Sequence, residues 1–420
     1  MSEDQATGPA LARPLSGNRD FLAFILSRMA NVMGNQIITV AVGWHVYLMT
    51  GDPLDLGLVG LSQFAPALAL FLVAGLAADR FDRRNIIVLC NGLHVAAAAM
   101  LLVYTLTDGP AVWPIFAILV VHGTARAFYF TASQAILPNL VDPAVFPKAI
   151  AWSSSVNKAA QLIGPAAGGV LVAVTGDWTY LWALVIFALA GVAAWAISAR
   201  LTVRGREPFS LAKVLGGFSF VWRKKIVLGA ISIDLLAVLF GGVMGLLPIY
   251  AKDILDVGAD GLGVMRAMPA VGSLIVGLAL TRLTAPRHMG PAFFVSLAIF
   301  GTSILVFGLS EIYWLSLLAL GIYGAADMVS VYIRLTLIQL ATPDQMRGRV
   351  SAVNAVAINA SNELGDFRAG VSAALIGTVP AVMVGGAATL GVTALWVWLF
   401  PEMRKVDRLE EISAREKSPA

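Results

Sequence analysis

Gly75-Leu76-Ala77-Ala78-Asp79-Arg80-Phe81-Asp82-Arg83-Arg84 is a charged segment set between two apolar runs, residues 56–78 and 85–106. Each run has roughly the 20 residues that a helix needs to cross a hydrocarbon core. A degenerate copy, Gly277-Leu278-Ala279-Leu280-Thr281-Arg282, closes a later apolar run at an offset of about 200 residues. At nearly the same offset Asp142-Pro143 recurs as Thr342-Pro343, and Gly164 and Gly169 recur as Gly365 and Gly370. A short charged loop between membrane spans, present twice, reads as one half of a duplicated membrane protein. Parallel six-helix repeats of this kind place a substrate site between the halves.

The composition agrees. Of 420 residues 58% are hydrophobic and 13% charged, with mean hydropathy +0.81. A soluble domain carries about 25% charged residues, so lipid is the expected solvent. Twelve apolar segments can be read, at 21–49, 56–78, 85–106, 112–137, 149–175, 178–199, 226–251, 260–281, 291–309, 312–340, 349–376 and 379–400. The expected fold is an all-α membrane protein of twelve transmembrane helices in two pseudo-symmetric six-helix bundles, 21–199 and 226–400. Tails 1–20 and 401–420 flank them, and a linker, 200–225, joins them. In the linker Phe209, Ala212, Leu215, Gly216 and Phe220 recur at helical spacing beside Lys213 and Arg223 to Lys225. It reads as an interfacial amphipathic helix, with a disordered linker as the alternative.

Basic residues concentrate on the even-numbered connections, including Arg80, Arg83, Arg84, Lys148, Arg200, Arg204, Arg206, Arg287, Arg347 and Arg349. The odd-numbered connections hold acids such as Asp52, Asp55, Asp108 and Asp177, and almost only Lys252 as a base. This bias predicts cytoplasmic N- and C-termini in a bacterial inner membrane, and no cleavable signal peptide is evident. The single cysteine, Cys90, excludes a disulfide framework and a cysteine-based zinc site. The four histidines are scattered, so neither a metal nor a cofactor is expected. The net charge of +4 sits in short loops and is not a nucleic-acid signal. The expected partners are the bilayer, a small-molecule substrate and protons, and a monomer is expected.

Charge at hydrocarbon depth costs about 2.5–3.5 kcal/mol per residue on insertion scales, so its position is informative. In span 11, Asn359, Glu363, Asp366 and Gly370 fall on one helical stripe, with Arg368 pointing roughly the other way. A carboxyl at that depth can exchange a proton near neutral pH. Asp366, Glu363, Asp327 and Asp234 are therefore the candidate proton carriers. For Glu363 and for Asp366 a structural pairing with Arg126 or Lys158 is the alternative. The candidate cavity wall comprises Arg28, Asn31, Asn35, His122, Arg126, Arg334 and Asn359. For Arg28 snorkelling to the interface is the alternative, and for Arg266, near the outer end of span 8, it is the preferred reading. His45, His94 and His122 have no ligand spacing and read as satisfied polar packing. Spans 3, 6, 9 and 12 lack charges away from their ends. Spans 1, 4, 7 and 10 are thus expected around a central cavity, flanked by 2, 5, 8 and 11.

Span 5 contains Gly164-Pro165-Ala166-Ala167-Gly168-Gly169. Its small residues permit close helix contact, and Pro165 removes one backbone bond. With this segment and the Gly75–Arg84 loop, the sequence resembles the major facilitator superfamily. The first matches its loop signature G-x-x-x-D-R-x-G-R-R, except that Asp82 replaces the glycine. The second matches the G-P-x-x-G-G signature of its antiporter branches. Within the superfamily the chain is similar to the enterobactin-exporter-like group, through Asp79 to Arg84, Thr342-Pro343 with Gly348-Arg349, and Gly365-Asp366. The resemblance covers all twelve spans. It implies a rocker-switch exporter driven by the proton gradient. Asp79, Arg80, Arg83 and Arg84, with Gly75 packed closely, would lock the cytoplasmic side, and Gly164, Pro165 and Gly169 would form a helix bend. The helix-4 arginine signature R-x-x-x-G is not cleanly present, because His122-Gly123 precedes Arg126. The expected function is secondary active export of a small amphipathic or hydrophobic molecule, such as a siderophore, antibiotic or metabolite. Uptake by symport or lipid flipping on the same fold is the alternative. No Ser-His pair, Asp dyad or HExxH motif at suitable spacing supports an enzyme.

Overall fold

The computed structural model describes residues 15–198, 211–282 and 288–404. Most of the tails, Arg200, Arg204, Arg206 and Phe209 of the linker, and Arg287 lie outside them. Ten helical stretches among the described residues are long and apolar enough to cross a membrane. One of the ten, Pro143–Trp195, contains two successive helices. Asp344–Ile376 is not among the ten; Asn354, Asn359, Asn362, Glu363, Asp366 and Arg368 dilute its apolar character. Dividing the first and adding the second brings the ten to twelve spans.

The helices are α1 (Arg19–Thr50), α2 (Pro53–Arg80), α3 (Arg83–Leu106), α4 (Trp113–Leu140), α5 (Phe146–Thr175) and α6 (Thr179–Trp195). After α7 (Leu211–Arg223) come α8 (Lys225–Gly241), α9 (Gly258–Arg282), α10 (Met289–Leu309), α11 (Tyr313–Leu340), α12 (Asp344–Ile376) and α13 (Thr378–Leu399). Their ends follow local chemistry. The Asn18 side chain accepts from Phe21 N, and Asp52 accepts from Leu54 N with Pro53 in the first turn of α2. These groups satisfy N–H donors that have no partner inside the helix. Between α1 and α2, Gly51 adopts φ +62°, a left-handed conformation that favours glycine.

The same packing diagram occurs twice. In the first half α1 packs on α5 and α6, α2 on α4, and α3 on α4 and α6. In the second half α8 packs on α12 and α13, α9 on α11, and α10 on α11 and α13. The halves meet through α5 against α9 and α2 against α12, which are equivalent positions in the repeat. The amphipathic α7 lies on α12 and α8. Its Phe218 and Trp222 are exposed, while Val221 is buried. Leu89 and Val103 of α3, Leu189 and Val192 of α6, Val295 of α10 and Trp398 of α13 are also exposed. Such a coat of large apolar side chains belongs in lipid.

Both inter-half contacts rest on glycine. A Cβ on Gly169 would come within 2.6 Å of Ala259 O and of Gly263 Cα. One on Gly370 would come within 2.7 Å of Pro53 O and 2.8 Å of Gly57 Cα. These pairs hold the halves together at the end carrying the 51–53 loop. At that end Tyr47 also hydrogen-bonds Asp253, and Lys252 Nζ lies 5.2 Å from the centre of the Tyr47 ring. Gly164-Pro165-Ala166-Ala167-Gly168-Gly169 thus serves two neighbours. Gly164 and Gly168 admit Gln36 and Ile37 of α1, while Gly169 faces α9 across the divide.

Overpacking such a contact costs about 1–3 kcal/mol. Gly169→Val is therefore expected to open this end. With Cys90 replaced by Ala and spin labels at Thr50 and Leu375, the variant should show a larger long-distance population by pulsed electron resonance. An unchanged distance distribution would contradict the closure described.

Candidate functional site

Between the halves lies a cavity of about 520 Å³, lined by α1, α2, α4, α5, α9, α12 and Gly245. It runs from Gly43 and Gly245, near the glycine contacts, toward Arg28, Ser133 and Ala355 on the side of the Asp79–Arg84 loop. Arg28, Asn31, Asn35, Arg126, Asn359, Glu363 and Asp366 all line it. Gln63, Asn157, Gln161 and Asn362 line it too, residues that carry no sequence signal beyond polarity. The ring expected from charge placement differs in its second-half members: α11 contributes no lining residue, and span 7 reaches the cavity through Gly245 beyond the end of α8.

One ion pair crosses the cavity. Arg126 Nη1 of α4 lies 3.2 Å from Glu363 Oε1 of α12, with side-chain exposures of 46% and 21%. Both partners are open to cavity water, so the bond can be broken without burying a bare charge. Of the two cations that the sequence offered to Glu363, Arg126 is the one in place; Lys158 is exposed. Arg28 donates through Nη1 to the neutral amide oxygen of Gln134, at 3.4 Å. Asn31 is buried, donating to Asn91 Oδ1 at 2.9 Å and lying 3.1 Å from His94 Nδ1. Asn35 donates back to Asn31, and its own Oδ1 is buried with no hydrogen-bond partner among the described residues.

The second half supplies a broken helix. Span 7 was expected to run unbroken through 226–251. Instead α8 stops at Gly241, and the chain continues through a 3-10 turn at Met244–Leu246 and a π turn at Tyr250–Ile254. Unpaired backbone groups at this depth need partners within the protein. Arg368 supplies them, donating to Leu239 O at 3.0 Å and Phe240 O at 2.7 Å. Asp366 Oδ1 accepts from Gly245 N at 3.0 Å on the other side of the break. The approach is close: a Cβ on Gly242 would come within 2.7 Å of the Gly365 carbonyl carbon. Gly365-Asp366-Phe367-Arg368 thus braces the interruption. Arg266 does not snorkel to the interface. It turns inward, lines the cavity and donates to Met244 O at 3.2 Å. The open carbonyls beyond the break draw it there.

Other candidates lie elsewhere. Asp234 of α8 and Arg334 of α11 form an ion pair inside the second bundle, joined by Asn354 Oδ1 at 3.4 Å from Arg334. Neither lines the cavity, nor does the half-buried Asp327. Charge in a span reports depth, not which face of the helix it occupies. His122 is buried within the first bundle, its ring centre 4.7 Å from that of His94, both packed near Phe187. The fold thus brings together two histidines that sequence spacing kept apart. Among the described residues their Nε2 atoms have no hydrogen-bond partner. In the loop, Asp82 caps α3 by accepting from Arg84 N at 2.9 Å, which gives its departure from glycine a purpose. Arg83 donates to Ala78 O and Ala135 O, and Arg84 to Trp195 O. Both arginines therefore tie the first bundle to itself in this conformation. Gly75 is half-buried and Arg80 exposed.

Two similar halves, a central polar cavity and a helix broken at its wall define a membrane transporter rather than an enzyme. The sequence profile of the Major Facilitator Superfamily matches residues 24–365, and the chain belongs to that family. Curated relatives include the enterobactin exporter EntS of Citrobacter koseri, 26% identical over 396 residues and 92% of each chain. The same exporter from Shigella boydii is 26% identical over 367 residues and 86% of each chain. Among solved structures, an inward-facing bacterial homolog of the human lysosomal transporter Spinster superposes with TM-score 0.71 at 14% identity, covering 96% of this chain and 99% of that one. The nucleoside transporter NupG gives 0.72 at 12% identity, covering 91% and 99%. These likenesses show the fold.

Two stability predictions follow from the braces. Asp366→Ala should lower the unfolding temperature in detergent, because an unmet buried N–H costs about 1–3 kcal/mol. Asp366→Asn, whose amide oxygen can still accept from Gly245, should retain most of it. Arg334→Met should cost about 3–5 kcal/mol by stranding Asp234, and Asp234→Leu added to it should restore much of the loss.

Proposed function

We propose that this chain is a proton-coupled exporter of a small amphipathic molecule in the bacterial inner membrane, working by alternating access. The observation that carries the reading is the Arg126–Glu363 ion pair, which spans the two halves inside the cavity. With both termini cytoplasmic, as the positive-inside bias favours, the cavity opens to the cytoplasm, where an exporter collects its cargo. The relatives named as enterobactin exporters make a siderophore the first substrate to try.

Glu363 fits the proton-carrying role better than Asp366. It reaches cavity water and its partner belongs to the opposite half, whereas Asp366 is engaged with Gly245 N at the helix break. A proton on Glu363 cancels its charge and releases Arg126, loosening one link between the bundles. A substrate that donates a hydrogen bond to the Glu363 carboxylate requires it ionised. Proton and substrate then exclude one another, and by linkage each weakens the other's binding by the same factor. Mutual exclusion within an alternating-access cycle is antiport. Asp79, Arg80, Arg83 and Arg84 serve as the lock on the cytoplasmic side when that end closes. Gly164, Pro165 and Gly169, with Gly75 on α2, supply surfaces along which helices shift.

Proteoliposomes carrying enterobactin, and a panel of amphipathic antibiotics, test this. Glu363→Gln should abolish transport driven by a pH gradient while substrate-for-substrate exchange persists. Gradient-driven transport at the wild-type rate in Glu363→Gln would sink the proton assignment.

A further inference from the structure

The charges of the cavity do not balance. Three arginines, Arg28, Arg126 and Arg266, line it against two carboxylates, Glu363 and Asp366. Arg126 is paired with Glu363, and Arg266 is held at the helix break beside Gly245, where Asp366 is bound. Arg28 is left over. Among the described residues no carboxylate lies within ion-pair distance of it, and its hydrogen-bond partner is the uncharged Gln134. Gln134 takes one N–H of the guanidinium, and Arg28 lines the cavity. The cavity wall also supplies the hydroxyl-bearing Tyr129 and Ser133 and the apolar Phe64, Leu68 and Phe130. A planar guanidinium presents paired donors that match the two oxygens of a carboxylate, sulfonate or phenolate.

We propose that Arg28 anchors an oxyanion of the substrate, so that the cargo is an aromatic or apolar body bearing at least one negatively charged oxygen group. This rests on the reading of the chain as a small-molecule transporter and names the class of molecule. The anion binds on the first half and the proton on the second. Cavity water screens their mutual attraction, so direct competition at Glu363 still dominates the coupling.

Binding of 2-naphthoate and of its uncharged isostere 2-naphthamide, measured by calorimetry on the protein in nanodiscs of zwitterionic lipid against empty discs, tests the proposal. Wild type should prefer the anion by about tenfold or more, as expected for a charge-assisted hydrogen bond. Arg28→Gln should bring the ratio close to one, and Arg28→Lys should retain part of the preference. The proposal is overturned if wild type binds neither probe or both equally, if Arg28→Gln keeps the preference, or if both probes are lost alike from a folded Arg28→Gln protein. No proton gradient enters the measurement. Failure here is therefore distinct from failure of the proton assignment, which Glu363→Gln transport decides.

Discussion

A hydrocarbon solvent offers no hydrogen bonds, so every backbone N–H and C=O at membrane depth must find its partner inside the protein. That constraint makes each span helical, and it makes any interruption costly unless another chain segment repairs it. At the end of α8 the repair comes from α12, where Arg368 covers the last carbonyls and Asp366 takes the N–H of Gly245 beyond the break. The cavity wall depends on this. Gly245 and Arg266 reach the cavity because the helix is broken there, and the break persists because α12 braces it. The same helix carries Glu363, one turn before Asp366, so the brace and the second half's member of the cross-cavity ion pair sit on one helix.

The halves themselves are fastened in a different way. Where α5 meets α9 and α2 meets α12, backbone meets backbone across glycine pairs. Without a hydrophobic drive between helices in lipid, such close packing is a main source of attraction. The two seams occupy equivalent positions in the repeat, so the duplication that shows in the sequence reappears as a symmetric interface. The bundles to either side are held by heavier contacts, including the Asp234–Arg334 pair in one and the Asn31–Asn91–His94 cluster in the other. Stiff bodies with lightly fastened seams are suited to moving as units.

Much of this architecture could be read from the chain, because span length, loop charge and repeat spacing are properties along the sequence. The Gly75–Arg84 loop and the Gly164–Gly169 segment are contiguous, and their neighbours in space are largely set by the helices that carry them. What could not be read is azimuth. Asp234 and Arg334 looked like cavity residues by depth, yet they face each other inside a bundle. Arg266 looked like an interface residue by its nearness to a span end, yet it is drawn inward by carbonyls that exist only because α8 breaks. Gly241-Gly242, with Pro248 one and a half turns on, was a signal for that break within an otherwise smooth apolar run. Gln63, Asn157 and Gln161 stayed invisible because an amide within a span carries too little cost to mark it.

The glycine seams have a kinetic consequence. Interdigitated side chains must be pulled from their sockets before two surfaces can part, and each socket adds to the barrier. Surfaces made of backbone and hydrogen atoms have little to withdraw. The seams at Gly57, Gly169, Gly263 and Gly370 therefore oppose a parting of the bundles with little internal friction. In the alternating-access cycle proposed above, the pace would then fall to the charged and hydrogen-bonded contacts, Arg126 with Glu363 at the cavity and Tyr47 with Asp253 at the rim.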